Sequence, residues 1–561
     1  MFSANHEVLA ALRESFPQLF TTRQEDGAPI EQLDLEKIRQ LAGDGNYSDK
    51  FGLRWENKPE KFEADSVGKL PTLQRIAGKA IQSDPSKPTH VLIEGDNYHA
   101  LKVLAYTHER AVDVIYIDPP YNTGNKDFKY NDRFVDKEDG YRHSKWLSFM
   151  AKRLRLAKTL LKDTGVIFIS IDDNEQAQLK LLCDEIFGED NSLPMFCRRA
   201  KVGGGSDSKH IVKELDYVLV YAKNASKTLP FYVPHPVSYL TRYKEADSES
   251  RFFWDTYSRP GLQSEGTDYE VTFPDQTKKF SRWKRSKARL DADLKSGDAT
   301  FIETRDGWSL VHKQRLNLAG QKPRQSLIEG MGNGEGKKEL TDLGLAEFFS
   351  YPKPLMLLTH ICKMFSKSAV FLDFFAGSGT TAHAVMQLNA EDKGSRQCIL
   401  VTNNEGPAGA GICAKVTYPR LKKAIEGYRT SKGKEVTGLG ENLEFFRTAF
   451  QPIPESLDQT RSFFKFSTFM LCLKSGCFQL VEENKHWAIF QNAGKHLFVL
   501  FDEYANEAAL KRLKELIGPI EAYVFAYERD DDTAELLRTL HNVTVQEVPQ
   551  PLLDLFHRLK E

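Results

Sequence analysis

Four consecutive residues, Asp118-Pro119-Pro120-Tyr121, combine two hydrogen-bond acceptors with an aromatic face. They directly follow the apolar run 112–117, which predicts a buried strand. Two prolines remove backbone donors and stiffen the loop, so the Asp118 carboxylate and the Pro119 carbonyl are presented outward. As structure alone, these residues would form a rigid strand exit with a half-buried tyrosine. As chemistry, they are suited to activating an exocyclic amino group such as that of adenine.

The amino group of adenine is a poor nucleophile because its lone pair is delocalised into the ring. Asp118 and the Pro119 carbonyl would each accept one N–H, which favours a pyramidal nitrogen, while Tyr121 stacks on the base. The activated nitrogen would then attack a sulfonium methyl group in line, with positioning supplying much of the rate. A base inside a duplex must first flip out, and stacking in the pocket would help to offset that cost.

A second motif spans residues 373–381 and reads Asp-Phe-Phe-Ala-Gly-Ser-Gly-Thr-Thr, where a predicted strand turns into a helix. Glycine lets a ligand approach the backbone there, and the helix N-terminal amides point outward. An ordinary glycine-rich turn has the same pattern, and no Gly-Lys-Ser/Thr follows to complete a triphosphate loop. Glu405, just past the next strand, is placed like the acidic residue that binds ribose hydroxyls, although an exposed loop glutamate fits equally.

The elements that must position these motifs begin at residue 89, where apolar strands start to alternate with amphipathic helices. This alternation predicts an α/β fold with a doubly wound, largely parallel sheet, in which separate strand ends meet at one switch point. The predicted domains are an N-terminal extension (1–88), two halves of one α/β domain (89–223 and 345–445), an inserted module (224–344) and a small C-terminal α/β domain (446–561).

Charge is distributed unevenly along a chain whose net charge is −1. Residues 191–340 contain 26 Lys and Arg against 19 Asp and Glu, a net +7 that leaves −8 elsewhere. The inserted module is therefore the predicted contact with a polyanion. Its candidate DNA-binding residues are Arg282, Lys284, Arg285, Lys287 and Arg289, unless this run is a solvated helix face. Its aromatic residues Trp254, Tyr257, Trp283 and Trp308 are either stacking groups or, more simply, a small core.

Several protein classes are disfavoured by composition. The seven cysteines are scattered without a CxxC pair, so neither a disulfide framework nor a metal site is predicted. The N-terminus lacks a basic-then-apolar signal layout, and no apolar run approaches the roughly 18 residues that a membrane span needs. We therefore expect a cytoplasmic protein without a membrane partner.

The order and content of these motifs resemble the β class of amino-group DNA methyltransferases, in which the catalytic motif precedes the cofactor motif and a target-recognition region lies between them. More narrowly, the chain resembles the modification subunit of type III restriction–modification systems. The segments that carry the resemblance are 92–97, 118–124, 165–173, 349–354, 373–381 and 443–446.

The resemblance implies a Rossmann-like methyltransferase sheet, S-adenosylmethionine as cofactor, and double-stranded DNA as substrate. It implies Asp118, Pro119, Pro120 and Tyr121 as catalytic residues and residues 224–344 as the target-recognition domain. The cofactor contacts that it implies are Phe375, Gly377, Ser378, Gly379, Thr380, Lys353, Glu405 and Asp96. It also implies a homodimer and a separate helicase–nuclease restriction subunit.

Three alternatives stay open from the sequence. An aspartate at the first catalytic position favours N6 of adenine, but N4-cytosine methylation uses the same scaffold and chemistry. A stand-alone methyltransferase without a restriction partner would carry the same motifs. A non-catalytic DNA-binding subunit is expected to lose the aspartate or the glycines, and this chain retains both.

Overall fold

The chain forms two compact units, residues 1–55 and 56–561. In the first unit, strands Phe20–Glu25 and Ala28–Leu33 pair in an antiparallel hairpin. The sequence of residues 6–16 predicts a helix, but this segment lies outside the described residues. The computed structural model describes residues 20–25, 28–33, 55, 60, 69–125, 127–130, 133–201, 210–234, 237–258, 266–316, 321–323, 326–328, 330–404, 411–452, 467–492, 494–501, 506–525, 532–546 and 548.

A ten-stranded mixed sheet is the centre of the second unit. In spatial order its strands are Leu327–Ile328, Ser192–Arg199, Leu215–Ala222, Leu161–Ile171, Val112–Ile117, Val370–Asp373, Gln397–Thr402, Thr89–Glu94, Asn442–Pro452 and Lys69–Arg75. The six strands from Leu161–Ile171 to Asn442–Pro452 are parallel. Five of these six strands contain a buried apolar run, as expected for strands that are covered on both faces, whereas Glu444 and Arg447 interrupt Asn442–Pro452. The predicted doubly wound α/β fold is confirmed.

Helices pack on this sheet in two groups. The first group, which belongs to the first half of the domain, is Asn97–Thr107, Arg142–Leu160 and Gln176–Phe187. The second is Leu355–Cys362, Thr380–Asp392 and Tyr418–Glu426. The two halves of the chain run in opposite directions across the sheet, so right-handed crossovers put the two helix groups on opposite faces.

The point where the two halves diverge lies between strands Val112–Ile117 and Val370–Asp373. These strands are parallel neighbours. From the first, the chain continues to Leu161–Ile171 on one side, and from the second it continues to Gln397–Thr402 on the other. The carboxyl ends of both strands therefore open at a topological switch point, where open α/β sheets bind their ligands.

Three predicted domain boundaries do not match the main sheet, which extends across them. Strand Lys69–Arg75, in the predicted N-terminal extension, pairs antiparallel with Asn442–Pro452, which itself crosses the boundary at 445/446. Arg75 fixes this edge by donating from Nε and Nη2 to the Glu444 carboxylate at 2.7 Å each. Strand Leu327–Ile328, in the predicted inserted module, also belongs to the main sheet, parallel to Ser192–Arg199. Short edge strands carry too little periodicity to be assigned from sequence.

The inserted module has a small core of its own, formed by Tyr257, Val271, Phe273, Trp283, Leu290, Ala299 and Leu310. Its elements are strands Glu245–Ala246, Arg251–Thr256, Thr267–Thr272, Lys278–Trp283, Ala299–Thr304 and Gly307–Arg315, with helices Val237–Leu240 and Lys287–Ser296. Strands Tyr232–Pro234 and Gln321–Pro323 pair where the module leaves and rejoins the main domain. Helix Asn333–Asp342 follows it.

The C-terminal part contains a second α/β layer. Its sheet consists of strands Gln479–Glu483, Trp487–Asn492, Lys495–Leu500, Ile520–Val524 and Val543–Gln546, and its helices are Asn506–Lys514 and Asp532–Arg538. Two further hairpins pair Lys129–Tyr130 with Arg133–Phe134 and Gly427–Arg429 with Glu435–Thr437. In the part of the chain that the structure describes, no helix has both the length and the apolar character to cross a membrane.

Candidate active site

The loop after strand Val112–Ile117 is held against a helix. Trp146, fully buried on helix Arg142–Leu160, donates from its indole Nε1 to the Pro120 carbonyl at 2.7 Å. Pro119 is buried, while Asp118 and Tyr121 are half-buried. The prolines and this hydrogen bond fix the path of the loop, so Asp118 is presented at the end of the strand in one orientation.

Lys353 contacts the predicted catalytic motif directly. Its Nζ lies 2.6 and 2.7 Å from the two carboxylate oxygens of Asp118 and 2.8 Å from the hydroxyl of Tyr121. The side chains of Lys353 and Asp118 are only 11% and 25% exposed, so the ion pair is largely shielded from water. Burial, followed by the nearby Asp118 charge, raises the pKa of Tyr121 well above its usual value. The phenol is therefore neutral and can both accept from Lys353 and donate elsewhere.

The residue after the motif, Asn122, anchors the other end of the loop. It takes a left-handed backbone conformation with φ of 55°, which asparagine tolerates better than most residues. Its Nδ2 donates to Glu175 Oε1 at 2.5 Å, and His143 Nδ1 lies 2.7 Å from the same oxygen. The Glu175 side chain is fully buried, and burial raises the pKa of its carboxyl, although Asn122 and His143 lower it in part.

The turn after strand Val370–Asp373 is organised by its own aspartate. The Phe375 amide donates to Asp373 Oδ1 at 3.0 Å, and the Thr381 hydroxyl donates to Oδ2 at 2.5 Å. Gly377 and Gly379 both have positive φ, 47° and 77°. A Cβ on Gly377 would lie 3.2 Å from the ring of Phe349, so glycine is required there both for conformation and for space.

Behind the turn lies Arg420, whose side chain is fully buried. It donates to the hydroxyls of Thr380 and Ser378 at 2.8 and 3.2 Å and pairs with Glu339 at 3.3 Å. Burial lowers the pKa of this guanidinium to about 10, so it remains charged at neutral pH. These contacts hold the hydroxyl side of the turn in the protein interior, whereas Gly377 stays half-buried.

Both motifs open into one cleft of about 720 Å³. Asp118 and Pro120 line it from one strand end, Phe375 and Gly377 from the next, and Asp96 from the start of helix Asn97–Thr107. Asn97 ties the halves together, because its Nδ2 donates to the Phe374 carbonyl at 2.9 Å and its Oδ1 accepts from Arg153 at 2.6 Å. The arrangement offers aromatic walls and four carboxylates, those of Glu60, Asp96, Asp118 and Asp127, within one cavity.

Comparison with known proteins identifies the family to which the chain belongs. The family model described as "DNA methylase", of N6 and N4 type, matches residues 112–406. The StyLTI Mod subunit of a type III restriction-modification enzyme of Salmonella typhimurium is 35% identical over 82% of this chain and 76% of its own length. The chain belongs to the type III Mod subunits of the DNA methylase family.

Two further proteins extend the comparison. The EcoPI Mod subunit of Escherichia phage P1 is 32% identical to this methylase over 72% of this chain and 70% of its own. A solved structure described as a "Putative DNA Modification Methylase" of Thermus thermophilus, in complex with S-adenosyl-L-methionine, covers 59% of this chain and 95% of its own at 15% identity, with a TM-score of 0.30. The predicted enzyme class, an S-adenosylmethionine-dependent methyltransferase acting on DNA, is confirmed by the family, whose model covers both N6 and N4 types.

Only some of the predicted cofactor residues line the cleft. Asp96, Phe375 and Gly377 do so. The side chains of Ser378 and Thr380 are buried against Arg420 and so support the turn, and Gly379 is buried with Thr417 beside it. Lys353 reaches the cofactor turn only through its backbone, since its carbonyl accepts from the Thr380 hydroxyl at 3.3 Å while its ammonium lies on Asp118. Glu405 lies outside the described residues.

The basic residues of the predicted DNA-binding run in this methylase form ion pairs with four aspartates of their own module. Each of its five basic residues pairs with an aspartate at 2.7–2.8 Å: Arg282 with Asp268, Lys284 with Asp255, Lys287 with Asp291, and Arg285 and Arg289 with Asp293. These pairs reduce the charge that the run presents to a phosphate backbone. Tyr257 and Trp283 are core residues and Trp308 packs beside them, so the simpler interpretation holds for these three aromatics, whereas Trp254 is half-buried outside this core.

Several site residues were not predicted from the sequence. Asn97, Trp146, Arg153 and Arg420 reach the two motifs from helices whose patterns predict only amphipathic packing. Fully buried arginine is rare unless it is paired, but burial of an individual arginine cannot be read from one sequence. Phe349 and Asn97 were available, because they lie in segments 349–354 and 92–97, which the family resemblance singled out.

Asp373 gives this methylase a specific pH dependence of stability. Burial raises the pKa of its carboxyl to about 7, against about 3.9 in an unfolded chain. The folded state therefore holds a proton that the unfolded state releases, and stability falls as pH rises from about 4 to about 7. We expect the free energy of unfolding of wild type, measured relative to that of Asp373→Asn, to fall by up to roughly 4 kcal/mol as pH rises across that range.

Urea denaturation of both proteins at several pH values measures this difference in free energy of unfolding. Groups that titrate identically in both proteins contribute equally and cancel when the two free energies are subtracted. An unchanged gap from pH 4 to pH 8 would contradict a protonated Asp373 in the folded state.

Proposed function

We propose that Asp118, Pro119 and Tyr121 carry methyl transfer to N6 of an adenine that has left the duplex, in the cleft shared with the Phe375–Gly377 side of the glycine turn. The observation that carries this proposal is the meeting of Asp118 and the turn at the switch point, where both line one cavity of about 720 Å³. Neither motif forms such a site alone.

The residues of the cleft fit S-adenosylmethionine. Gly377 leaves a face that a Cβ would narrow, Phe349 and Phe375 offer apolar walls, and Asp96 and Asn97 offer polar contacts at a helix start. Carboxylates near the cleft suit a cofactor that carries a sulfonium and an amino group. When bound, the cofactor supplies the electrophilic methyl group.

Asp118 and its neighbours prepare the nucleophile. The Asp118 carboxylate accepts one N–H of the adenine amino group and the Pro119 carbonyl accepts the other, which localises the nitrogen lone pair. The Tyr121 ring provides a stacking face beside them. The proton that the nitrogen loses on methylation passes to the Asp118 carboxylate and from there to solvent.

Lys353 holds the Asp118 carboxylate and the Tyr121 hydroxyl in position between turnovers. Its ammonium bridges both Asp118 oxygens and the Tyr121 hydroxyl, so it keeps the carboxylate and the phenol in register before a base arrives. The adenine amino group needs the same acceptor, and Lys353 has to yield part of this contact. We therefore assign Lys353 as a positioning residue rather than a direct cofactor contact.

The assembly that we propose follows the relatives. StyLTI and EcoPI are named as Mod subunits of type III restriction-modification enzymes, and by analogy this chain would form a homodimer and associate with a helicase–nuclease subunit. Sedimentation of the purified chain with and without duplex DNA tests the dimer. A monomer under both conditions would contradict it.

The direct test of the activity is methyl transfer from radiolabelled S-adenosylmethionine to duplex DNA by the purified chain. Long-read sequencing of DNA from cells that express the chain then reports the modified base, the strand and the recognition sequence together. Modified adenine is the expected result. Cytosine modification would overturn the choice of base, and no transfer to any DNA would overturn the proposed site.

A further inference from the structure

A short hairpin stands at the mouth of the active cleft. It consists of strands Lys129–Tyr130 and Arg133–Phe134 and begins shortly after the catalytic tyrosine. Its approach is tied back to the catalytic loop, since the Thr123 amide donates to Asp127 Oδ2 at 3.0 Å. Both Lys129 and Phe134 line the cleft together with Asp118. We call Lys129, Tyr130, Arg133 and Phe134 the cleft hairpin.

The hairpin is fixed to the site by a chain of aromatic contacts. Phe128, only 2% exposed, packs on Phe149 with ring centroids 5.2 Å apart, and Phe149 packs on Phe375 of the cofactor turn at 5.9 Å. The Val135 amide donates to the Phe128 carbonyl at 3.0 Å and closes the base of the hairpin. The position of the hairpin is therefore coupled to the cofactor side of the cleft.

Phe134 differs from the apolar residues around it. Phe128, Tyr130 and Val135 are buried, but Phe134 is 49% exposed. Its ring lies 5.0 Å from the ammonium of Lys129, which is exposed, as is Arg133. The fold does not use this ring as core, and the hairpin instead presents an aromatic group beside one cation, Lys129, at the entrance to the site, with the exposed Arg133 next to it in the strand.

Duplex DNA is the partner whose chemistry matches this surface. Removing a base from the stack costs a few kcal/mol, and proteins offset it with apolar side chains inserted beside the vacated position and cations on the adjoining phosphates. The basic run at 282–289 lies in ion pairs with aspartates, so it contributes less of this charge than its sequence suggests.

We propose that the cleft hairpin is the DNA contact that drives base extrusion, with Phe134 inserted into the base stack next to the target adenine and Lys129 and Arg133 on the flanking phosphates. This rests on the proposed methyltransferase function and adds to it the surface that opens the duplex. The contact carries no base-specific hydrogen bonds, so sequence recognition belongs elsewhere in the chain.

The test compares Phe134→Ala with wild type on two duplexes that contain the recognition sequence, one fully paired and one with an abasic site opposite the target adenine. An unpaired base needs little help to leave the stack, so the abasic duplex removes the step assigned to Phe134. We expect kcat/KM of Phe134→Ala to fall by about 30-fold on the paired duplex and to stay within about threefold of wild type on the abasic one. Phe134→Trp should retain most activity on both.

Leu480→Ala is the matched control, because Leu480 is 47% exposed on the C-terminal sheet and should leave both rates unchanged. Equal losses for Phe134→Ala on both duplexes, or no loss on either, would overturn the assignment of the hairpin. A wild-type chain inactive on both duplexes would instead refute the proposed function.

Discussion

Asp118→Ala is expected to lower methyl transfer by about 10³-fold or more, since it removes the acceptor that localises the amino lone pair. The variant should fold, because the loop is held independently by the Trp146 bond to the Pro120 carbonyl and by Asn122 on Glu175. Binding of S-adenosylmethionine, measured by calorimetry, should stay within about threefold of wild type, because the cofactor turn is organised by Asp373 and Arg420.

Two variants make this result specific. Asp118→Asn keeps the shape and one acceptor oxygen but loses the charge, so it should retain more activity than Asp118→Ala while remaining far below wild type. Asp163→Ala, a partly exposed aspartate near the start of strand Leu161–Ile171, is the control for loss of a carboxylate away from the site. Full activity in Asp118→Ala would refute the catalytic assignment.

The fold could be predicted from the sequence wherever strands are long and apolar. The strands at 112–117 and 370–373 are buried on both faces, and their apolar composition alone predicts them. Their adjacency follows from the rule for open α/β sheets, so the meeting of Asp118 with the glycine turn was also predictable. The edge strand Lys69–Arg75 was not, because its place depends on pairing with the distant strand Asn442–Pro452.

Side-chain partners were predicted far less well than backbone positions. The run at 282–289 contains five cations, Arg282, Lys284, Arg285, Lys287 and Arg289. Their ion pairs depend on aspartates that other elements bring alongside, among them the hairpin Thr267–Thr272/Lys278–Trp283 and helix Lys287–Ser296. Long-range ion pairs have no periodic trace in a sequence. The same holds for Phe134, whose exposure at the cleft is a property of tertiary packing.

The family resemblance and the structure indicate different roles for Lys353. Family resemblance implies a cofactor contact, whereas the structure places its ammonium within 2.8 Å of Asp118 and Tyr121. A cofactor role predicts that Lys353→Met weakens S-adenosylmethionine binding and that saturating cofactor restores the rate. A positioning role predicts the reverse.

We expect Lys353→Met to lower kcat by about 100-fold at saturating S-adenosylmethionine, with cofactor affinity within about threefold of wild type, because two charge-assisted hydrogen bonds to Asp118 are lost. Lys353→Arg keeps the charge but replaces a compact ammonium by a planar fork, so it should recover only part of the rate. Calorimetry and single-turnover methylation separate the two roles. Since a carboxylate can accept from more than one donor, Lys353 can loosen rather than leave as the adenine amino group arrives. Because Lys353 does not have to leave the site for adenine to bind, we expect the methionine variant to lose turnover rather than substrate binding.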